Sequence, residues 1–270
     1  MSLDAETLAR LALEASRIAV LAGAAILQVY DSDYAIEHKD DRTPLTAADL
    51  AAHRVIEDGL RALQPAFPIL SEESAAIAYA ERASWSRYWL VDPLDGTREF
   101  IKKNGEFTVN IALIDGDKPV LGVVQAPVTG VLWWGYAGGG AFRREGESTA
   151  PIRTRKPVSP LTVAGSRSHG SERETQMLGR LGEIEKLALG SSLKFCRIAE
   201  GTADLYLRLG PTSEWDTAAA QCVLEQAGGA VLTLDGQPLR YNTKDSLLNP
   251  DFLACGDASA DWPRRLGVIA

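Results

Sequence analysis

Two aspartates, Asp92 and Asp95, stand three apart in the run W-L-V-D-P-L-D-G-T-R-E-F-I-K-K-N-G-E-F-T-V-N, residues 89–110. Pro93 and Gly96 fall between and after them. That spacing can turn both carboxylates and the Leu94 carbonyl toward one point. Gly96 lets the backbone approach a ligand closely. Thr97 opens a helical turn, whose free N–H groups favour an anion. Carboxylates, a carbonyl, a hydroxyl and a helix start within six residues suit a hard divalent cation holding a phosphate. The same residues also make an ordinary Asp-rich turn with a helix cap, since Asp-Pro and Asp-Gly pairs are common turn chemistry. Taken alone, they leave both readings open.

The elements that must position this turn read as follows. Residues 88–91 form a short buried strand that stops at Asp92, because Pro93 cannot donate to a ladder. Residues 3–30 carry apolar side chains at helical spacing and predict one long amphipathic helix. Residues 34–39 predict a short strand and 40–44 a loop. Thr46-Ala47-Ala48-Asp49 has the form of a capping box that opens a helix to about residue 63. Ile69 and Leu70 form a strand stub that delivers Ser71-Glu72-Glu73-Ser74. Strands at 107–115 and 118–125 flank the hairpin turn Asp115-Gly116-Asp117, and 131–136 and 141–144 continue an antiparallel meander. Gly138-Gly139-Gly140 reads as a turn. Residues 145–160 are polar and Pro-rich and mark a domain boundary. The expected division is an α+β part, 1–150, which contains the Asp92 turn, and an α/β part, 151–270, which contains Asp216. In the second part, strands at 161–164, 186–189, 203–209 and 230–234 alternate with helices at 172–181, 193–200 and 216–226. Residues 243–251 read as a plain loop.

The 270 residues allow one large domain or two packed ones, and 46% hydrophobic with 24% charged is an ordinary globular balance. Cys196, Cys222 and Cys255 lie far apart with no CxxC pair. That argues against zinc and disulfides and for a reducing compartment. A net charge of −8 repels nucleic acid. It also repels a phosphorylated small molecule, unless bound cations invert the local field. There is no basic, signal-like N-terminus, and no apolar run of about eighteen residues is expected to span a membrane. A cytoplasmic protein without an integral membrane segment follows. Peripheral association with the inner membrane stays open, although no basic amphipathic helix supports it. Monomer and homodimer are both compatible with the chain.

D-P-L-D-G-T after an apolar strand resembles the signature of the inositol monophosphatase and fructose-bisphosphatase superfamily, lithium-sensitive magnesium phosphatases. The continuation R-E-F-I-K-K-N-G-E-F-T-V-N-I-A-L-I resembles the 3′(2′),5′-bisphosphate nucleotidase branch of bacterial sulfur assimilation. The inositol branch more usually has G-T-T-N-F here. The resemblance runs from the first helix to Gly229 and fades beyond it. It implies an α+β and α/β layered sandwich with alternating α-β-α-β-α layers.

It also implies a set of acids. Glu72, in S-E-E-S, matches the family's metal-bridging glutamate, although Glu72 and Glu73 also suit the first turn of a helix. Asp216, in E-W-D-T-A-A-A, matches the second-metal aspartate and is also a good N-cap. Asp49 matches the acid that hydrogen-bonds the threonine of D-G-T, here Thr97, and serves equally well as a helix-start residue. With Asp92, Asp95 and the Leu94 carbonyl, Glu72 and Asp216 supply oxygen ligands for two or three Mg2+ ions. All three histidines (His38, His53, His169) lie outside the acidic motifs, which disfavours transition metals. The implied mechanism is direct attack by water polarised at Glu72, Asp92 and the Leu94 carbonyl. Thr97, oriented by Asp49, helps remove the proton, and the leaving oxygen is stabilised at Asp92, Asp95 and Asp216. No nucleophilic Cys or His motif is present.

Two further loops enter through the resemblance. Gly190-Ser191-Ser192-Leu193-Lys194 joins a strand to a helix and can hold a phosphate or ribose oxygen. Ser166-Arg167-Ser168-His169 follows another strand end. Ser166, His169, Ser192 and Lys194 are expected at the nucleotide, with Leu94, Asp95, Gly96, Thr97 and Asp216. A cation suits a second phosphate beyond the metals, and Arg98, Lys102 and Lys103 flank the metal loop. A surface loop with solvated Lys and His is the plain alternative. The implied substrate is adenosine 3′,5′-bisphosphate, with its 3′-phosphosulfate relative as a second. The rival readings are an inositol monophosphatase or sugar-bisphosphatase, a catalytically silent metal- and phosphate-binding regulator, and a structural subunit whose acids are caps.

Overall fold

A helix of 26 residues, α1 (Ala5–Tyr30), opens the computed structural model, which describes residues 3–31, 44–166 and 171–268. Asp4 caps it by accepting the Thr7 N–H at 2.8 Å. Leu8, Leu11, Ala15, Ile18, Ala22 and Ile26 form its buried stripe. The stripe packs on α2 (Pro44–Arg61), where a Cβ on Gly59 would come within 2.8 Å of Ile18. By length and composition α1 is apolar enough to cross a membrane, contrary to the expectation that no such run exists. Its apolar side chains are instead used against α2 and the neighbouring sheet. The expected strand at 34–39 lies outside the described residues. The capping box at Thr46–Asp49 is not where α2 begins. Pro44 already stands in the helix, as suits a first-turn proline, so Asp49 projects from the second turn.

The first sheet runs β1 (Ile69–Ser71), β2 (Arg87–Asp95), β3 (Thr108–Asp115), β4 (Lys118–Gln125), β5 (Leu132–Tyr136), β6 (Gly140–Glu145) and β7 (Ser148–Ile152), in that spatial order. β1 and β2 are parallel, joined through a 3-10 turn (Glu72–Ser74) and α3 (Tyr79–Arg82); the rest is an antiparallel meander. Two expectations need correction. β2 does not stop at Asp92: it pairs Asp92 with Asn110, bulges, and pairs again at Asp95 with Thr108. Pro93 falls inside the bulge, where a missing N–H costs no ladder bond. β7 lies inside the stretch 145–160 taken as a boundary, and its Pro151 is tolerated because the strand is at the sheet edge.

The remaining helices and the second sheet are α4 (Thr97–Ile101), β8 (Leu161–Ser166), α5 (Glu172–Gly179), β9 (Ile184–Leu189), α6 (Leu193–Ala199), β10 (Leu205–Arg208), α7 (Glu214–Gln226), β11 (Ala230–Thr233), β12 (Phe252–Cys255) and α8 (Trp262–Arg265). The spatial order is β11-β12-β10-β8-β9, with β8 parallel to both β9 and β10 and β12 antiparallel to its neighbours.

Three cores define the layers. Trp89 and Val91 of β2 face α1 and α2, while Tyr88 and Leu90 face α6 and α7, so β2 is buried on both faces. Beyond α6 and α7 lie Tyr206 and Phe252 of the second sheet. Its far side packs Leu205 and Leu253 against Met177 and Trp262 from α5 and α8. The result is the expected α-β-α-β-α sandwich. Cys196, Cys222 and Cys255 are buried and unpaired within it.

The central layer depends on one close approach. A Cβ on Gly122 would sit 2.1 Å from the Ala219 carbonyl oxygen of α7. Gly122→Ala should therefore destabilise the protein by about 1–3 kcal/mol, as overpacking does. Urea denaturation measures this; an unchanged midpoint would contradict the contact.

Candidate active site

The site begins where β1 ends beside the bulge of its parallel neighbour β2. Ser71 pairs with Val91, so Glu72, the first residue beyond β1, stands beside Asp92 where β2 begins to bulge. Asp92 is buried, and its Oδ1 accepts the Leu94 N–H at 3.0 Å. That bond folds the bulge and turns Asp95 toward the same side. Gly96 follows at φ +99°, where a Cβ would meet the Glu106 carbonyl at 3.1 Å. The tight left-handed step then starts α4 at Thr97.

Asp216 comes from the far end of the chain. Ser213, not Asp216, is the N-cap of α7, and the Ser213 N–H donates to Asp216 Oδ2 at 2.9 Å. The pair is a capping box, so the aspartate stands in the first turn. A polar chain ties it to the β2 turn. Asn110 Nδ2 reaches Asp95 Oδ2 at 3.5 Å and Ser192 Oγ at 3.2 Å, and Ser192 Oγ donates to the Asp216 carbonyl at 2.7 Å. Asp49 enters from α2, buried, with Oδ1 lacking any hydrogen-bond partner.

Crowding shapes the electrostatics. Burial pushes the Asp92 carboxyl well above its ordinary range, and Asp95, Glu72, Asp216 and Asp49 push it further. Asp49 is pushed up to about 8 by burial and then by Glu73 and Glu72. Asp216 is pushed up to about 8 by burial and then by Asp95. Glu72 keeps solvent on its outer side, yet partial burial and Asp95 raise it as well. Asp95 is raised by burial, against the pull of Lys194 and hydrogen bonds from Ser192 and Asn110. Among the described residues, no three His, Cys, Asp or Glu side chains stand as a closed ligand group. The fold brings five carboxylates from four elements into mutual electrostatic range, and two of them, Asp95 and Asp216, line one opening.

That opening is a cavity of about 190 Å³. Asp95, Gly96, Thr97 and Asp216 line it. Lys194 and Arg208 line it too, with Phe195, Tyr206 and Phe252 also in the lining. Lys194 is buried, donates to the Ser191 and Leu189 carbonyls at 2.5 and 3.4 Å, and is pushed down to about 8 by burial. Ser166 and Arg98 also line the space. Asp49, Glu72, Asp92 and Leu94 are not among its lining. Ser192 is buried away from it, spent on Asp216, and Ser191 lines it instead. Lys103 points away, its Nζ 4.1 Å from the Tyr30 ring centre. His169 lies outside the described residues. Arg208 is the residue that sequence reasoning missed. It ends β10, donates to the Pro211 carbonyl at 3.0 Å, and keeps a buried Nε without a partner. Its only sequence signal is its place at the end of a strand in the α/β half, where ligands collect.

Comparison with known proteins agrees with this architecture. Residues 6–260 match the model of the inositol monophosphatase family. The chain is 53% identical over 233 residues to the 3'(2'),5'-bisphosphate nucleotidase CysQ of Salmonella typhimurium, covering 86% of this chain and 94% of that protein. It is 52% identical, with the same coverage, to the protein of that name from Escherichia coli K12. The crystal structure of CysQ from Bacteroides thetaiotaomicron superposes with a TM-score of 0.84 at 38% identity, over 91% of this chain and 96% of the other. With the layered fold, the acid-lined strand ends and these matches together, the chain belongs to the inositol monophosphatase family.

Proposed function

We propose that this protein is a magnesium-dependent phosphomonoesterase of sulfur assimilation that hydrolyses adenosine 3′,5′-bisphosphate to AMP and phosphate. The 3′-phosphate of 3′-phosphoadenosine 5′-phosphosulfate is a second substrate. The observation that carries this reading is one cavity lined both by carboxylates, Asp95 and Asp216, and by the cations Lys194 and Arg208. A molecule with two phosphates suits such a lining, one group for metal held by the acids and one for the cations. The identity to the two CysQ nucleotidases selects the nucleotide from other bisphosphates.

The residues fit the metal. Every candidate donor is oxygen, as a hard cation requires. The carboxylates repel one another, and Asp49 Oδ1 is buried without a partner. Glu72, Asp92, Asp95, Asp216 and the Leu94 carbonyl would hold two or three magnesium ions. When bound, magnesium offsets the crowded negative charge, polarises the phosphoryl group and activates water. The protein's own groups do the rest. Thr97, which lines the cavity with Asp95, would accept the water's proton with the help of Asp49 of α2. Gly96 lets backbone and phosphate approach closely. Lys194 and Arg208 neutralise the second phosphate, and Ser166 meets the nucleoside. The aromatic lining at Phe195, Tyr206 and Phe252 excludes bulk water. The free, buried cysteines suit the cytoplasm.

Three outcomes follow. Asp92→Asn should reduce turnover by more than about a thousandfold, the scale of losing charge stabilisation at the reacting group, while unfolding stays cooperative. Retained activity would contradict the scheme. Stability should also depend on pH in a defined sense. Asp49 and Asp216 titrate near 8 in the folded protein and near about 4 in an unfolded chain. Between those values the folded state holds more protons, so the chelator-treated protein loses stability as pH rises from about 4 to about 8. Magnesium should offset the loss most at the upper end. A melting temperature that rises with pH across that range, without metal, would be the wrong sign. Finally, with magnesium the protein should turn over adenosine 3′,5′-bisphosphate faster than inositol 1-phosphate, and lithium should inhibit it. The reverse preference would make it an inositol monophosphatase by activity.

A further inference from the structure

The turn that carries Glu72 has little to hold it locally. It is a three-residue 3-10 turn, and Ser71 occupies its N-cap position without capping it. A serine there normally spends its hydroxyl on the turn's own N–H groups. Here Ser71 Oγ lies 3.0 Å from Nδ1 of His53. Ser71 is fully buried, so this bond satisfies a hydroxyl that water does not reach.

His53 is one helical turn beyond Asp49 on α2, and the two side chains share a face. One turn further, Glu57 places Oε2 3.8 Å from His53 Nε2, and Glu57 Oε1 is 2.7 Å from Arg61. A carboxylate beside Nε2 favours the ring proton there, leaving Nδ1 to accept the Ser71 O–H. The His53 side chain is only 13% exposed, so the ring has little freedom to leave. Ser71 also pairs with Val91, next to Asp92. The relative placement of Glu72 and Asp92 therefore passes through the residue that His53 grips.

Resting on the metal-dependent reading of the site, we propose that His53 is a positioning residue: through Ser71 it fixes the Glu72 turn against Asp92 and sets how tightly the acids take up magnesium. His53 touches neither substrate nor the reacting atoms. α2 thus serves the site twice, through Asp49 directly and through the His53–Ser71 bond.

Titration calorimetry with magnesium alone, on the full chain, tests this without turnover. His53→Leu and Ser71→Ala should each weaken magnesium binding by about tenfold, as loss of an outer-shell partner does. The double variant should be no weaker than either single one, because both remove the same bond. His53→Gln, whose amide can still meet Ser71 Oγ, should recover most of the affinity. Should His53→Leu fail to fold, Ser71→Ala against His53→Gln carries the comparison. Wild-type affinity in either disruptive variant, or additive losses in the double variant, would overturn the proposal and leave the bond purely structural. Absence of magnesium binding by the wild-type protein would instead overturn the reading on which the proposal rests.

Discussion

Like charges forced together where one strand ends and its parallel neighbour bulges are the constraint on which the rest of this structure depends. Glu72 and Asp92 emerge side by side because Ser71 and Val91 are paired. Asp95 joins them because the β2 bulge re-aims the chain after Pro93. Asp216 joins them because α7 is held by its capping box and by the Asn110–Ser192 chain. Each carboxylate raises the proton affinity of its neighbours. A fold that keeps such a cluster spends stability on it, and the sandwich around it supplies that stability. β2 is buried on both faces, α7 is wedged between the two sheets, and Gly122 lets backbone meet backbone.

The layered arrangement explains why the acids come from opposite ends of the sequence. The first sheet presents Asp92 and Asp95, and the central helical layer presents Asp216 and Lys194. The cavity therefore opens where that helical layer meets both sheets. Asp95 and Asp216 reach it from β2 and α7, and Lys194 and Arg208 from α6 and β10. On the proposed function, an acidic chain can recruit a doubly charged anion because its acids hold cations and leave Lys194 and Arg208 to the substrate.

Much of this was legible in local sequence. D-P-L-D-G-T is a contiguous motif whose geometry depends on neighbours a few residues away, and the hairpin at Gly116 and the long α1 carry strong local patterns. The misreadings share a cause. Pro93 signals a strand end, but a bulge lets the strand resume. Thr46 to Asp49 matches a capping box, yet Pro44 starts the helix earlier. Asp216 suits an N-cap, but Ser213 three residues before it suits one too, and the backbone uses Ser213. β7 shows no alternation because it is an edge strand exposed along most of its length. Arg208 and the His53–Ser71 bond depend on contacts between distant segments, which no local pattern encodes.

The central claim, that these separate acids act as one cation-binding centre, is tested most directly by anomalous diffraction from crystals soaked in manganese, a magnesium surrogate with a measurable signal. The account predicts anomalous peaks bounded by Asp92 and contacted by Glu72, Asp95 and Asp216. Manganese seated away from Asp92, or a centre that Asp216 does not touch, would contradict it.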